Sequence, residues 1–208
     1  MVAIIDYGVG NLFSLQSSFA AIGQEAVVTS DIEEIRRADR VILPGVGAFQ
    51  DAAEKLRSSG MDRAVKEEAA RGKPLLGICL GMQMLFERSY EYGVHEGLGL
   101  LKGEIRPIAE RIPAGLKIPQ MGWNSLRFVQ ESPLLKYSRE GEYVYFVHSY
   151  SAVRCEDSLL AVTEYGADLT AAVGKGNVFG CQFHPEKSGD VGLRMLKAFC
   201  ETEGTGTC

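Results

Sequence analysis

Lys73-Pro74-Leu75-Leu76-Gly77-Ile78-Cys79-Leu80-Gly81-Met82-Gln83 decides how this chain folds. The apolar run Pro74 to Ile78 reads as a β-strand, and Leu80 onward reads as a helix continuing to about Tyr90. Cys79 sits at the junction with a glycine two residues before it and another two after. Glycines there remove Cβ atoms that would obstruct a sharp strand-to-helix turn, which holds a reactive atom up at the end of a sheet. The segment therefore predicts a nucleophile elbow in an α/β fold.

Reading outward, the first half alternates strand and helix at short intervals. Val2 to Asp6, Ala26 to Thr29 and Val41 to Leu43 are strand-like. Asn11 to Ile22 carries Leu12, Leu15, Phe19 and Ile22 on one helical face, and further helical runs cover Asp31 to Arg37, Ala48 to Ser58 and Met61 to Arg71. Such alternation predicts an open, twisted, mostly parallel sheet with helices on both faces, and sites at the carboxyl ends of its strands. Asp6-Tyr7-Gly8, Pro44-Gly45-Val46-Gly47 and Cys79 all fall at such ends.

From about Leu98 the pattern becomes strands joined by turns: Leu100 to Ile108, Leu126 to Val129, Tyr143 to Val147, Leu159 to Glu164, Thr170 to Val173 and Val178 to Phe183. Gly174-Lys175-Gly176-Asn177 is a hairpin-type turn. The expectation is α/β overall, with antiparallel strands in the C-terminal half extending the same sheet. A closing helix fits Val191 to Cys200, and the polar tail Glu201 to Cys208 is expected to fray.

At 208 residues and 46% hydrophobic content, the chain suits one well-buried domain spanning 1–208. A net charge of -5 with scattered basic residues gives no footprint for nucleic acid. The apolar runs fall short of the roughly 20 residues a membrane helix needs. Met1 to Asp6 resembles a first strand more than a signal peptide, so a cytoplasmic protein is expected. Five cysteines (79, 155, 181, 200 and 208) form an odd set without a C-x-x-C pair, which argues against a disulfide framework or a zinc knuckle. No metal and no cofactor are expected. Cys155, Cys181 and Cys200 read as packing residues, and His95 as a solvated loop residue.

Gly180-Cys181-Gln182-Phe183-His184-Pro185-Glu186-Lys187 supplies what a thiol nucleophile needs. A thiolate attacks a carboxamide or ester when an imidazole manages its proton, and a third group fixes the imidazole's orientation. Cys79, His184 and Glu186 fill these roles as nucleophile, general base and acid, and orienting carboxylate. Their order along the chain differs from the nucleophile, acid, histidine order of the α/β-hydrolases. Oxyanion donors are expected from the Leu80 N-H at the helix start and from the Pro44-Gly45-Val46-Gly47 turn. Read alone, Cys79 is also compatible with a buried small hydrophobe, and Pro44 to Gly47 with an ordinary turn.

Taken together, Gly77 to Gln83 and His184-Pro185-Glu186 resemble the class I (triad) glutamine amidotransferases. Asp6 to Leu12, Leu43 to Phe49, Pro119-Gln120-Met121-Gly122-Trp123-Asn124 and Tyr145 to Tyr150 are similar to the glutaminase subunits of imidazole glycerol phosphate synthase. The resemblance runs from residue 1 to about 200. It implies hydrolysis of glutamine to glutamate through a thioester on Cys79. The ammonia would pass to a (β/α)8 synthase subunit, a heterodimer partner, for histidine biosynthesis.

The resemblance further implies a glutamine pocket of Gly47, Gln83, Glu91, His148, Ser149 and Tyr150. It implies an interface made by Asn11, Met121, Trp123, Tyr145 and Lys187, and a Pro44 to Gly47 segment that rearranges to complete the oxyanion hole when the partner is loaded. The residues alone leave two of these open: Glu91 also fits a solvated helix-end acid, and a lone tryptophan is as often core as interface. Alternatives are the glutaminase of another synthase, making pyridoxal phosphate or anthranilate, or a non-catalytic scaffold of the same fold. Gly122-Trp123-Asn124 and His148-Ser149-Tyr150 favour the histidine-pathway subunit, and an intact triad disfavours the scaffold.

Overall fold

The computed structural model describes residues 1–205. In chain order the strands are β1 (Val2–Ile5), β2 (Ala26–Thr29), β3 (Arg40–Leu43), β4 (Leu75–Ile78), β5 (Arg88–Ser89), β6 (His95–Glu96), β7 (Glu104–Pro107), β8 (Gln120–Ser125), β9 (Arg127–Phe128), β10 (Tyr143–His148), β11 (Tyr150–Val153), β12 (Leu159–Glu164), β13 (Asp168–Lys175) and β14 (Val178–Cys181). The helices are α1 (Leu12–Ala21), α2 (Ile32–Arg37), α3 (Phe49–Ser58), α4 (Met61–Ala70), α5 (Leu80–Met84) and α6 (Gly189–Cys200).

Among the described residues, eight strands form one sheet in the order β2-β1-β3-β4-β14-β13-β12-β9. The five strands from β2 to β14 run parallel. The remaining three join antiparallel, as the turn-rich C-terminal half predicts. All four residues of β1 are buried because both faces are covered, which is why the strand reads as a continuous apolar run. Successive side chains point to opposite faces. Ala3 and Ile5 pack with Phe49, Leu56, Met61 and Val65 of α3 and α4, while Val2 and Ile4 pack with Leu15, Phe19, Leu196 and Phe199 of α1 and α6.

The C-terminal strands do not all extend that sheet, contrary to expectation. β10 pairs only with β8 in a two-stranded ribbon, and β11, β7, β5 and β6 form a separate four-stranded sheet. The expected helix from Leu80 to Tyr90 is also shorter, ending at Met84. Its next carbonyls are taken from outside: Leu98 N donates to Met84 O, Leu100 and Leu101 N to Leu85 O, Gly99 N to Phe86 O, and Gly97 N to Glu87 O. Backbone acceptors claimed by a distant loop cannot close helical turns, and Arg88–Ser89 go into a sheet instead.

The tail is more ordered than its composition suggests, at least to Thr205. Thr202 is buried and donates to Phe199 O at 2.7 Å, and the Arg40 guanidinium donates to the carbonyls of Phe199 and Thr202. Thr205 Oγ1 hydrogen-bonds Asn177 Oδ1 at 3.0 Å. Residues 206–208 of the tail, Cys208 included, lie outside the described residues.

Gly81 is the tightest point under the elbow. A Cβ there would lie 1.8 Å from Leu43 O and 2.8 Å from its carbonyl carbon, both rigid backbone atoms at the end of β3. Gly81→Ala is therefore expected to destabilise the fold by about 3 kcal/mol or more. Its melting temperature should fall by roughly 6–12 °C, and an unchanged melting curve would contradict this close approach.

Candidate active site

β4 and β14 are adjacent and parallel, with Ile78 opposite Cys181, so both chains leave the sheet at the same end. Cys79 N donates to Cys181 O at 2.8 Å across that end. This neighbourhood brings the elbow cysteine beside His184, which follows β14 almost immediately. Cys79 adopts φ 54° and ψ -111°, a left-handed φ that a non-glycine residue adopts only under strain. The flanking glycines have a different duty from the cysteine's. A Cβ on Gly77 would lie 2.7 Å from Gly81 O, so these glycines let the turn close while the strain rests on Cys79 itself.

His184 Nδ1 lies 2.8 Å from Glu186 Oε1, with both side chains almost wholly buried at 3% and 1% exposure. The link is a 3-10 turn over Pro185–Lys187 that begins at the proline. Proline suits a first helical position, and the turn swings Glu186 back under the imidazole. Burial acts to lower the His184 pKa, but Cys79 and Glu186 outweigh it and raise the group to about 9. His184 therefore holds its second proton at neutral pH. Its Nε2 and Glu186 Oε2 are buried without a hydrogen-bond partner among the described residues, and Nε2 is the atom free to exchange a proton with a reactant.

Cys79 and His184 border a cleft of about 560 Å³, within the usual range for small-molecule sites, and Glu186 lies behind the imidazole. Its walls include Val46, Gly47, Leu80, Gln83, Glu91, Tyr92, Ile118, Pro119, His148, Ser149 and Tyr150. All the residues expected to line a glutamine pocket are thus gathered on one cleft, and several of their polar atoms are engaged within the protein. Both N-H groups of the Gln83 amide are engaged, with Tyr150 O at 3.2 Å and Gln182 Oε1 at 3.0 Å, so Gln83 has only its oxygen left for a ligand. Glu91 Oε2 accepts from Phe49 N at the start of α3, and burial raises its pKa. It is neither a solvated helix-end acid nor wholly free.

His148 lines the cleft, but its ring is engaged within the protein. His148 Nδ1 lies 2.8 Å from Tyr150 O and Nε2 lies 2.8 Å from the Gln120 side-chain amide, so both nitrogens are occupied. Burial lowers the pKa of His148 to about 4, so the ring is neutral. Tyr150 O is a backbone carbonyl and can only accept, so Nδ1 carries the ring hydrogen. His148 is a brace between β10, β11 and the buried side of β8.

The Leu80 N-H, expected as an oxyanion donor, is likewise in use: it donates to Gly45 O at 3.3 Å. The Pro44 to Gly47 segment is held in this position by Tyr7, whose hydroxyl donates to Pro44 O at 2.7 Å. Burial, and then Cys79, push the Tyr7 pKa far upward, which keeps that donor protonated. Tyr7 and Gln182 were not singled out from sequence. The available signals were a tyrosine at the carboxyl end of β1 and a polar amide inside the apolar run before His184.

The residues expected at an interface form one patch beside the cleft. Met121 and Trp123 are 63% and 53% exposed, opposite Val147 and Tyr145 on the outer face of the β8–β10 ribbon. Trp123 meets Tyr145 edge-on at 6.1 Å, and Lys187 Nζ lies 5.9 Å above the Tyr145 ring. Trp123 is thus not a core residue. Asn11, by contrast, is half-buried and donates to Glu186 Oε1 at 3.4 Å. Among the described residues, no cluster of His, Cys, Asp and Glu could hold a metal ion, and no helix is long and apolar enough to cross a membrane.

The glutamine amidotransferase class-I family model matches residues 3–202, and the chain belongs to that family. Its relatives within the family include the imidazole glycerol phosphate synthase subunit HisH of Lactococcus lactis subsp. lactis, 53% identical over 96% of this chain and 98% of that protein. The protein of the same name from Oceanobacillus iheyensis is 52% identical, over 97% of this chain and 98% of that one. The one from Wolinella succinogenes is 53% identical, over 97% and 99%. Among solved structures, a glutamine amidotransferase crystal structure superimposes with a TM-score of 0.74 at 20% identity, covering 96% of this chain and 100% of that chain. PurLQS from Thermotoga maritima gives 0.72 at 22% identity, covering 96% of each. These likenesses show the shared fold.

Proposed function

We infer that this chain is the glutaminase subunit of an imidazole glycerol phosphate synthase, supplying ammonia for histidine biosynthesis. The single observation that carries the chemistry is the buried His184–Glu186 pair beside a strained Cys79 at the floor of an open cleft. The near full-length likeness to proteins named as subunits of that synthase carries the pathway.

In this reading the Cys79 thiolate attacks the side-chain carboxamide carbon of glutamine and forms a C–S bond. The resulting tetrahedral oxyanion collapses as the C–N bond breaks, and His184 Nε2 gives its proton to the leaving nitrogen, releasing ammonia. Water then attacks the thioester carbon while His184 takes its proton, the C–S bond breaks, and glutamate leaves with the thiolate restored. Glu186 holds Nδ1-H throughout. The Gln83 oxygen and the Glu91 carboxylate suit the substrate's ammonium end, with Gly47, Ser149 and Tyr150 completing the wall.

The oxyanion needs backbone donors, and Leu80, Val46 and Gly47 are the candidates. The bond from Leu80 N to Gly45 O supports a resting state in which that hole is incomplete. The partner is a (β/α)8 synthase subunit seated on Asn11, Met121, Trp123, Tyr145 and Lys187, receiving ammonia from the adjacent cleft. A cytoplasmic location fits the four free cysteines among the described residues.

Co-expression with a (β/α)8 subunit, followed by a glutamine-dependent synthesis assay on the purified complex, tests partner and pathway together. Stable co-purification with imidazole glycerol phosphate formation is the expected result. A chain that neither binds the barrel nor supports synthesis would refute the assignment.

A further inference from the structure

We propose that Gln182 is a catalytic residue of this site, donating a hydrogen bond from its side-chain amide to Cys79 Sγ and so favouring the thiolate. This rests on the reading of Cys79 as the nucleophile. Gln182 is fully buried at the end of β14, where a leucine would fill the space without a polar group to satisfy. Its Nε2 lies 3.7 Å from Cys79 Sγ, within reach of an N-H to sulfur hydrogen bond.

The direction of that bond follows from one atom whose identity is unambiguous. Tyr150 O is a backbone carbonyl and can only accept, so the Gln83 group 3.2 Å away must be its NH2. That same nitrogen lies 3.0 Å from the Gln182 amide, which must then present its oxygen. The other end of Gln182, turned to Cys79, is therefore the NH2. The chain Tyr150 to Gln83 to Gln182 to Cys79 fixes a donor on the sulfur, and reversing either amide would set two donors or two acceptors against each other. A donor aimed at an anion in a low-dielectric site stabilises the charged form, which is the form that attacks.

The test is alkylation of Cys79 by iodoacetamide in the full chain, followed from pH 6 to 10 and read on the Cys79 peptide by mass spectrometry. In Gln182→Leu the rate at pH 7 should fall about tenfold and recover toward wild type near pH 10, because the deficit lies in thiolate population. The glutaminase kcat should fall with KM little changed. An unchanged rate at pH 7, or a loss by the same factor at every pH, would overturn the proposal, the latter marking a misplaced sulfur.

Gln182→Leu leaves the second Gln83 N-H without a partner and could unsettle the fold. The double variant Gln83→Leu/Gln182→Leu removes both amides together and should show the same pH-dependent alkylation deficit. Cys79→Ala separates the two claims: if it still hydrolyses glutamine the nucleophile assignment fails, whatever the alkylation profiles show.

Discussion

Replacing Cys79 by alanine is expected to lower glutamine hydrolysis by at least about 10⁴-fold while the assembled synthase continues to work with added ammonium salts. The separation follows from geometry. Among the described residues Cys79 is the one sulfur on the cleft, and without it no thioester forms, whereas nothing on the outer face of the β8–β10 ribbon changes. Alanine keeps a Cβ and the same backbone demand, so the elbow and the patch around Trp123 should stay in place. Steady-state synthesis by the complex with glutamine, and then with ammonium, checks both halves. Loss of both activities in a complex that still assembles would contradict the division of labour between the subunits.

Glutamine hydrolysis by the isolated chain is expected to rise on the order of 10²–10³-fold when the barrel subunit and its nucleotide ligand are added. That is the range over which one oxyanion donor typically acts. The Leu80 N-H is occupied by Gly45 O, and Tyr7 anchors the segment that carries this carbonyl. Gly45 has no room to shift inward, since a Cβ there would already lie 2.8 Å from Gly81 N and 2.9 Å from the Tyr7 hydroxyl. Freeing the donor therefore requires the segment to move outward. Initial rates of glutamate formation with and without the loaded barrel decide the matter. Equal rates would remove the coupling between partner and oxyanion hole.

The elbow, the parallel half of the sheet and the grouping of Cys79, His184 and Glu186 were legible because each rests on short sequence signals. The Gly-x-Cys-x-Gly spacing, the apolar strands and the His-Pro-Glu sequence need no distant contact to be recognised. What escaped the sequence depends on partners far along the chain. The end of α5 is set by residues 97–101 capturing the carbonyls of Met84 to Glu87, and nothing in Leu85 to Tyr90 announces it. β8 was not read as a strand because its outer face is exposed and Gly122 interrupts it, so no apolar alternation appears. The roles of His148 and Gln83 depend on which atoms the Tyr150 carbonyl claims, a question spacing cannot pose.

The left-handed backbone of Cys79 also bears on how such a chain can evolve. A non-glycine residue held there costs of order 1–3 kcal/mol, a sizeable part of a typical domain's net stability. Glycine would relieve that cost, so selection for stability alone would drift toward losing the thiol. The cysteine persists at this position only under continued demand for ammonia. In a lineage that takes up its histidine from the surroundings, this is where decay of the enzyme should begin, through changes that leave the protein firmer and inert.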